Sequence, residues 1–130
     1  GLRPQAVNVT GGFRAQGRNE DERARVMKEA KAAEEAGAFA IVVEGVAEDL
    51  AEEITKAVSC PTIGIGASAA CDGQVLVTQD MLGVFDWVPK FVRKYADFRT
   101  DIGKAVEAYA ADVRARRFPG AAETYKLTKQ

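Results

Sequence analysis

Histidine is absent from this sequence of 130 residues, and cysteine occurs only twice. Because histidine is the commonest general base and the commonest zinc ligand, acid–base chemistry here must use carboxylate, lysine or tyrosine side chains. Cys60 and Cys71 are too few for a disulfide scaffold and form no CxxC metal motif. We therefore expect both cysteines to be reduced thiols.

Long apolar runs and an excess of positive charge are also missing. No apolar stretch approaches the ~20 residues that cross a bilayer, and the first residues lack a signal-peptide pattern. We therefore expect a soluble, cytoplasmic protein without a membrane role. Eighteen Lys and Arg against nineteen Asp and Glu give a net charge of −1, which provides no positive field for a phosphate backbone and argues against nucleic-acid binding.

What is present is typical of an ordinary globular domain, with 47% apolar and 28% charged residues. Hydrophobic periodicity predicts, in chain order, strand 6–9, helix 21–36, strand 39–43, helix 47–58, strand 62–65, strand 75–77 and helix 101–116. Thr100 or Asp101 is the expected N-cap of the last helix, and residues 121–130 read as a short helix or a frayed tail. This alternation predicts parallel βα units, either a small open sheet or half of an eight-stranded barrel, since a complete barrel needs ~250 residues.

Glu44 is the leading candidate for acid–base chemistry. It directly follows the run 39–43, which is apolar at nearly every position, as in a strand buried on both faces of a parallel sheet. Functional side chains of parallel βα folds gather where strands end, and a partly desolvated carboxylate there is suited to proton transfer. The same position fits a carboxylate that caps the next helix or pairs with a surface arginine, and the sequence does not separate these interpretations.

Two loops near predicted strand ends are candidates for ligand binding. The stretch IGIGA at 63–67 could cradle a phosphate with backbone amides, although its glycines more often allow a helix to pack closely on a strand. In the loop 66–73, Ser68 and Asp72 could hydrogen-bond a ligand or shape the turn. The loop that contains Gln16 and Arg18 could act as a lid with Arg18 facing an anion, or leave Arg18 in solvent.

Short strings that follow one another along nearly the whole chain form a family pattern. They are GLRPQ at 1–5, VN at 7–8, GGFRAQGR at 11–18, EGV at 44–46, IGIGA at 63–67, CDGQVLV at 71–77, PKFV at 89–92 and FPG at 118–120. Together they resemble the C-terminal half of the ketopantoate hydroxymethyltransferase family. The resemblance implies an α/β fold of the (β/α)8 TIM-barrel type. Residues 1–130 would then supply about the last four βα units, with a C-terminal helix and tail from about residue 118.

The resemblance also implies an activity in pantothenate and coenzyme A biosynthesis. The family transfers a hydroxymethyl group from 5,10-methylenetetrahydrofolate to 3-methyl-2-oxobutanoate, giving 2-dehydropantoate. Magnesium typically holds the keto acid and stabilises its enolate, as in metal-ion Lewis acid catalysis. Glu44 matches the family's catalytic acid/base glutamate.

The family's magnesium carboxylates and its keto-acid lysine belong to the N-terminal half. The resemblance therefore implies no metal ligand within residues 1–130 and no activity for this chain alone. It implies the N-terminal half of the same barrel as a partner, together with a homo-oligomer, typically a decamer.

The sequence departs from the family pattern at several positions. Ala47 stands where proline is usual, Ser68 where glycine is usual and Gln79 where histidine is frequent, while residues 122–125 read AETY where the family commonly reads EHSF or similar. The alternative from another class is a non-catalytic half-barrel that covers its open sheet edge by self-association or with a partner chain. A different lyase or mutase of the phosphoenolpyruvate/pyruvate barrel type leaves the QGR and CDGQ strings unexplained.

Overall fold

The computed structural model describes residues 1–3, 5 and 14–126 of an α/β chain. The chain divides into two compact units. The first comprises Gly1–Val77 with Pro89–Val92, and the second comprises Thr78–Val88 with the chain from Arg93 onward. No helix among the described residues is long and apolar enough to cross a membrane.

The first unit alternates helices and strands, as the periodicity predicts. Its elements are α1 (Glu20–Glu35), β1 (Ile41–Glu44), α2 (Glu48–Ala57), β2 (Thr62–Ile65) and β3 (Gly73–Gln74). The three strands form a parallel sheet in the order β1-β2-β3. Parallel pairing brings the carboxyl ends of β1 and β2 to the same edge of the sheet. The predicted strand 6–9 lies outside the described residues.

The core of this unit lies between the sheet and its two helices. It consists of Val26, Ala30, Val43, Val46, Leu50, Ala51, Ile54 and Cys71, each at most 7% exposed. The members on α1 and α2 recur at intervals of three and four residues, which places them on one face of each helix.

The prediction that strand 39–43 is buried on both faces is wrong for the described residues. Phe39 precedes the strand and is 92% exposed, and Val42 is 58% exposed, whereas Val43 is 3% exposed. Successive side chains of a strand point to opposite faces. The core that buries Val43 therefore leaves Val42 on the other side of the sheet.

The predicted strand 75–77 is also displaced. Pairing with β2 involves Gly73 and Gln74, and it ends where the N–H of Val75 donates to the carbonyl of Gly64 at 3.0 Å. The β-branched residues Val75 and Val77 are about half exposed, since the chain leaves the sheet at Val75.

Glu34, near the end of α1, holds the connection between α2 and β2. Its Oε1 atom accepts the hydroxyl of Ser59 at 2.6 Å, the N–H of Ser59 at 2.5 Å and the N–H of Cys60 at 3.2 Å. The hydroxyl bond, followed by the N–H bonds, lowers the pKa of Glu34 because all three stabilise the carboxylate. This contact fixes the chain just before β2 begins.

The second unit contains the short helix α3 (Thr78–Met81) and α4 (Phe98–Arg114). The last helix begins earlier than predicted, because Asp97 rather than Thr100 or Asp101 is its N-cap and accepts the N–H of Thr100 at 3.3 Å. The predicted apolar face of α4 is 42–59% exposed, and its members are Ile102, Val106, Tyr109 and Val113. Residues 121–124 form a turn and a bend rather than a helix, residues 125–126 have no regular secondary structure, and the rest of the tail lies outside the described residues.

Candidate active site

Glu44 is the last residue of β1, and the parallel register pairs it with Ile65, the last residue of β2. Its carbonyl oxygen accepts the N–H of Leu2 at 2.8 Å, and the N–H of Gly45 donates to the carbonyl of Ile65 at 2.9 Å. The backbone at Glu44 is thus bonded on one side to the N-terminal segment and on the other to β2. The side chain is half-buried at this edge of the sheet.

The alternative roles for Glu44 as a cap or an ion-pair partner find no support in the described residues. The N-cap position of α2 is Ala47, and no side chain caps this helix. None of the salt bridges among residues 1–3, 5 and 14–126 includes Glu44. Neither structural role occupies this carboxylate in the part of the chain that the structure describes.

The turn that follows Glu44 is fixed by the loop that contains Gln16. Gly45 has a φ of +56°, a left-handed conformation that glycine adopts without steric cost. The N–H of Gln16 donates to the carbonyl of Gly45 at 2.7 Å, and the N–H of Ala47 donates to the carbonyl of Gln16 at 2.9 Å. Gln16 therefore forms a parallel bridge with Val46, and the loop borders the candidate site.

Arg18 lies at an open cleft of about 520 Å³ between the first turns of α1 and α2. The cleft is lined by Gly17, Arg18, Asn19, Glu20, Arg23, Ala47 and Asp49. Its two cationic side chains face two carboxylates, and Arg23 binds Asp49 at 2.8 Å. The lining therefore carries no excess of positive charge that would favour an anion.

The glycine-containing strand β2 and its following loop are closely packed. A Cβ atom on Gly64 would lie 2.9 Å from the amide of Gln74, and one on Gly66 would lie 2.5 Å from the ring of Phe91. These contacts favour the interpretation that the glycines allow close packing and argue against a phosphate cradle. The packing partners are side chains rather than a helix. The hydroxyl of Ser68, which is 4% exposed, accepts the N–H of Ala70 at 3.1 Å, so Ser68 shapes the loop.

The described residues contain no group of three or more histidine, cysteine, aspartate or glutamate side chains that could hold a metal ion. Both cysteines are free thiols, as predicted, with Cys71 buried and Cys60 partly exposed. Glu44, at the end of β1, remains the candidate acid–base side chain in this part of the chain.

A sequence model of the family described as ketopantoate hydroxymethyltransferase matches residues 1–121. This chain belongs to that family. A relative from Hyphomonas neptunium is 77% identical over 130 residues, which are 100% of this chain and 47% of the relative. Relatives from Phenylobacterium zucineum and Caulobacter vibrioides are 70% and 65% identical and cover 96% and 99% of this chain, and 46% and 47% of their own lengths. All three are named 3-methyl-2-oxobutanoate hydroxymethyltransferase.

The chain spans about half the length of these ketopantoate hydroxymethyltransferase relatives. Their names confirm the predicted family and do not favour the alternative of a non-catalytic half-barrel. The sequence indicated Gln16 only as part of a lid. It carried no signal for the contact between Gln16 and the turn after Glu44, because residues far apart in the chain form it.

Proposed function

We propose that residues 1–130 supply the C-terminal half of a (β/α)8 barrel, about its last four βα units, with the tail from about residue 118. The whole protein would transfer a hydroxymethyl group from 5,10-methylenetetrahydrofolate to 3-methyl-2-oxobutanoate, giving 2-dehydropantoate. The observation that carries this proposal is the family match over residues 1–121 in a chain that places Glu44 at the carboxyl end of a parallel strand.

Glu44 is the proposed acid/base group. Formation of the enolate removes one proton from C3 of 3-methyl-2-oxobutanoate, and the electron pair of that C–H bond then forms the new C–C bond to the one-carbon unit. Glu44 accepts the proton. The one-carbon unit enters this step as formaldehyde, which forms when water hydrolyses both C–N bonds of the methylene bridge and gives one proton to each folate nitrogen. As the C–C bond forms, the formaldehyde oxygen becomes the new hydroxyl by taking the proton that Glu44 holds. A half-buried carboxylate at the end of a strand is partly shielded from water, which suits it to such a transfer.

Magnesium does not fit the described residues, since they contain no set of three potential ligands. We assign the magnesium carboxylates and the keto-acid lysine to the half of the enzyme that this chain does not include. That half is also the proposed partner of this chain, and the chain alone is expected to be inactive.

We further propose that the complete enzyme is a cytoplasmic homo-oligomer, a decamer. Light scattering of the complete enzyme tests the oligomeric state, and a monomer would contradict it.

A chimaera provides the test in a complete enzyme. In it, this chain replaces the 130 matching residues of the Hyphomonas neptunium relative, and turnover is measured with magnesium, 3-methyl-2-oxobutanoate and 5,10-methylenetetrahydrofolate. The unmodified chimaera is expected to form 2-dehydropantoate, and Glu44→Gln is expected to lower kcat by about 100-fold or more.

Glu107→Gln serves as the matched control for this test. It makes the same chemical change on the exposed surface of α4 and should leave kcat within about twofold, roughly 0.4 kcal/mol. A Glu44→Gln chimaera with kcat in that same range would show that Glu44 is not catalytic. An unmodified chimaera that is folded and inactive would contradict the proposed activity.

A further inference from the structure

The side chain of Gln16 is buried, with 9% exposure, and both ends of its amide are bonded. Its Oε1 atom accepts a hydrogen bond from Nη2 of Arg25 at 2.7 Å, and its Nε2 atom donates to the carbonyl of Arg14 at 3.0 Å. Arg25 is itself exposed, and the bond that it donates is short and charge-assisted. Arg25 lies on α1, so this contact ties the loop to a helix.

The backbone of Gln16 holds the turn next to the candidate catalytic carboxylate of Glu44. Its N–H donates to Gly45 at 2.7 Å and its carbonyl accepts from Ala47 at 2.9 Å. Between these two bonds lies Val46, a core residue with 3% exposure. An unbroken series of contacts therefore runs from the guanidinium of Arg25, through the side chain and backbone of Gln16, to the residue that follows Glu44.

We propose that Arg25 and Gln16 form a positioning pair that fixes the turn after β1 and thereby the direction of the Glu44 carboxylate. This inference rests on the proposed catalytic role of Glu44. Catalytic groups must be held within about 0.5 Å of the productive geometry, which requires supporting residues with fixed side chains. A displacement of about 1 Å can cost about 100-fold in rate even when the responsible residue does not touch the substrate.

The test compares Arg25→Met with Lys28→Met in the chimaera. Both variants remove one positive charge from α1, and Lys28 is exposed and makes no side-chain hydrogen bond or salt bridge with residues 1–3, 5 and 14–126. Arg25→Met is expected to lower kcat about tenfold with KM within about twofold, whereas Lys28→Met leaves both unchanged. Arg25→Lys, which keeps a donor, should recover part of kcat.

A second measurement does not depend on activity. Hydrogen exchange followed by mass spectrometry reports the N–H of Ala47, which is bonded to Gln16. Exchange of the peptide that covers residues 44–50 should be faster in Arg25→Met than in Lys28→Met. Equal exchange rates for this peptide in the two variants would overturn the proposal, whatever the effect of Arg25→Met on kcat or on the melting temperature.

A double-mutant cycle separates failure of this inference from failure of the proposed function. If Arg25 acts through Glu44, Arg25→Met should have little further effect on the residual kcat of Glu44→Gln. A full tenfold effect in that background, or a kcat of Arg25→Met within twofold of the control, would overturn the positioning role. A normal kcat for Glu44→Gln alone would instead overturn the proposed function.

Discussion

Asp72 accepts two hydrogen bonds from Thr62 on one carboxylate oxygen, from the backbone N–H at 2.8 Å and from the hydroxyl at 2.9 Å. Thr62 begins β2 and is fully buried, whereas Asp72 directly precedes β3. The pair joins the starts of two neighbouring parallel strands. Asp72 thus closes the loop 66–72 and does not need a ligand to explain its position.

The Thr62–Asp72 contact predicts a pH dependence. The two hydrogen bonds, that from the N–H first, lower the pKa of Asp72 from its usual 3.8 because they favour the ionised form. Their stabilising effect is complete above the unfolded pKa and is lost as the pH falls through the lower folded pKa.

Asp72→Asn in the chimaera should therefore lower the melting temperature near pH 7, and the deficit should shrink as the pH falls below about 4. Circular dichroism melting curves between pH 7 and pH 2.5 measure this, with Glu107→Gln as a control that makes the same carboxylate-to-amide change. A deficit that is independent of pH would contradict the assignment.

The close approach of Gly17 to Leu50 predicts that adding a single methyl group at Gly17 destabilises the protein. Gly17 has a φ of +78°, and a Cβ atom added there would overlap Cδ2 of Leu50, which is 1% exposed. We expect Gly17→Ala to destabilise the protein by about 1–3 kcal/mol from backbone strain, with a further cost from the overlap. Urea denaturation measures the effect.

Measuring Gly17→Ala in a Leu50→Ala background separates the cost of backbone strain from the cost of the overlap with Leu50. Leu50→Ala alone should cost about 2–5 kcal/mol because it leaves a cavity. Adding Gly17→Ala to Leu50→Ala should then cost less than Gly17→Ala alone, since the overlap is gone and only the strain remains. Simple additivity would show that the side chain of Leu50 does not limit Gly17.

Asn19 predicts the contribution of a helix cap. Its Oδ1 atom accepts the N–H of Glu22 at 2.9 Å at the start of α1. Asn19→Ala should cost about 1 kcal/mol, whereas Asn19→Asp should keep most of the stability because aspartate caps equally well. Urea denaturation of both variants provides the measurement, and equal losses would argue against a capping role.

The two thiols predict a difference in alkylation rate. Cys60 is partly exposed, whereas Cys71 is buried at 7% exposure and lies 3.7 Å from the hydroxyl of Thr55. N-ethylmaleimide should modify Cys60 at least about tenfold faster than Cys71 in the folded protein, because thiol reactivity requires access. Peptide mass spectrometry after timed quenching measures both rates, and a faster Cys71 would contradict the burial described for it.

Much of the first unit could be predicted from the sequence because its signals are local. Helical periodicity locates α1 within one residue at each end, and the apolar run before Glu44 locates β1 within two residues of its start. The end of that run is recognisable as the end of a strand, so the sequence alone is enough to name Glu44 as a candidate site residue.

Other features depend on contacts between distant residues and could not be predicted. Val75 and Val77 favour a strand by propensity, yet pairing with β2 ends before Val77. The exposure of Val42 follows from which face of the sheet the helices cover, and an apolar run does not specify a face. The Arg25–Gln16 contact joins a helix to a loop and has no sequence signature.

The contact of Glu34 with Ser59 and Cys60 sets the point at which β2 enters the sheet. The connection between Val58 and Pro61 has no spare length to compensate for the deletion of one residue, because Glu34 of α1 is hydrogen-bonded to it. The shift would pass along β2 and exchange the side chains on its two faces, since a strand repeats every two residues. The connection before β2 lies at the opposite end of the strands from Glu44, yet it determines which residue of β2 is paired with Glu44.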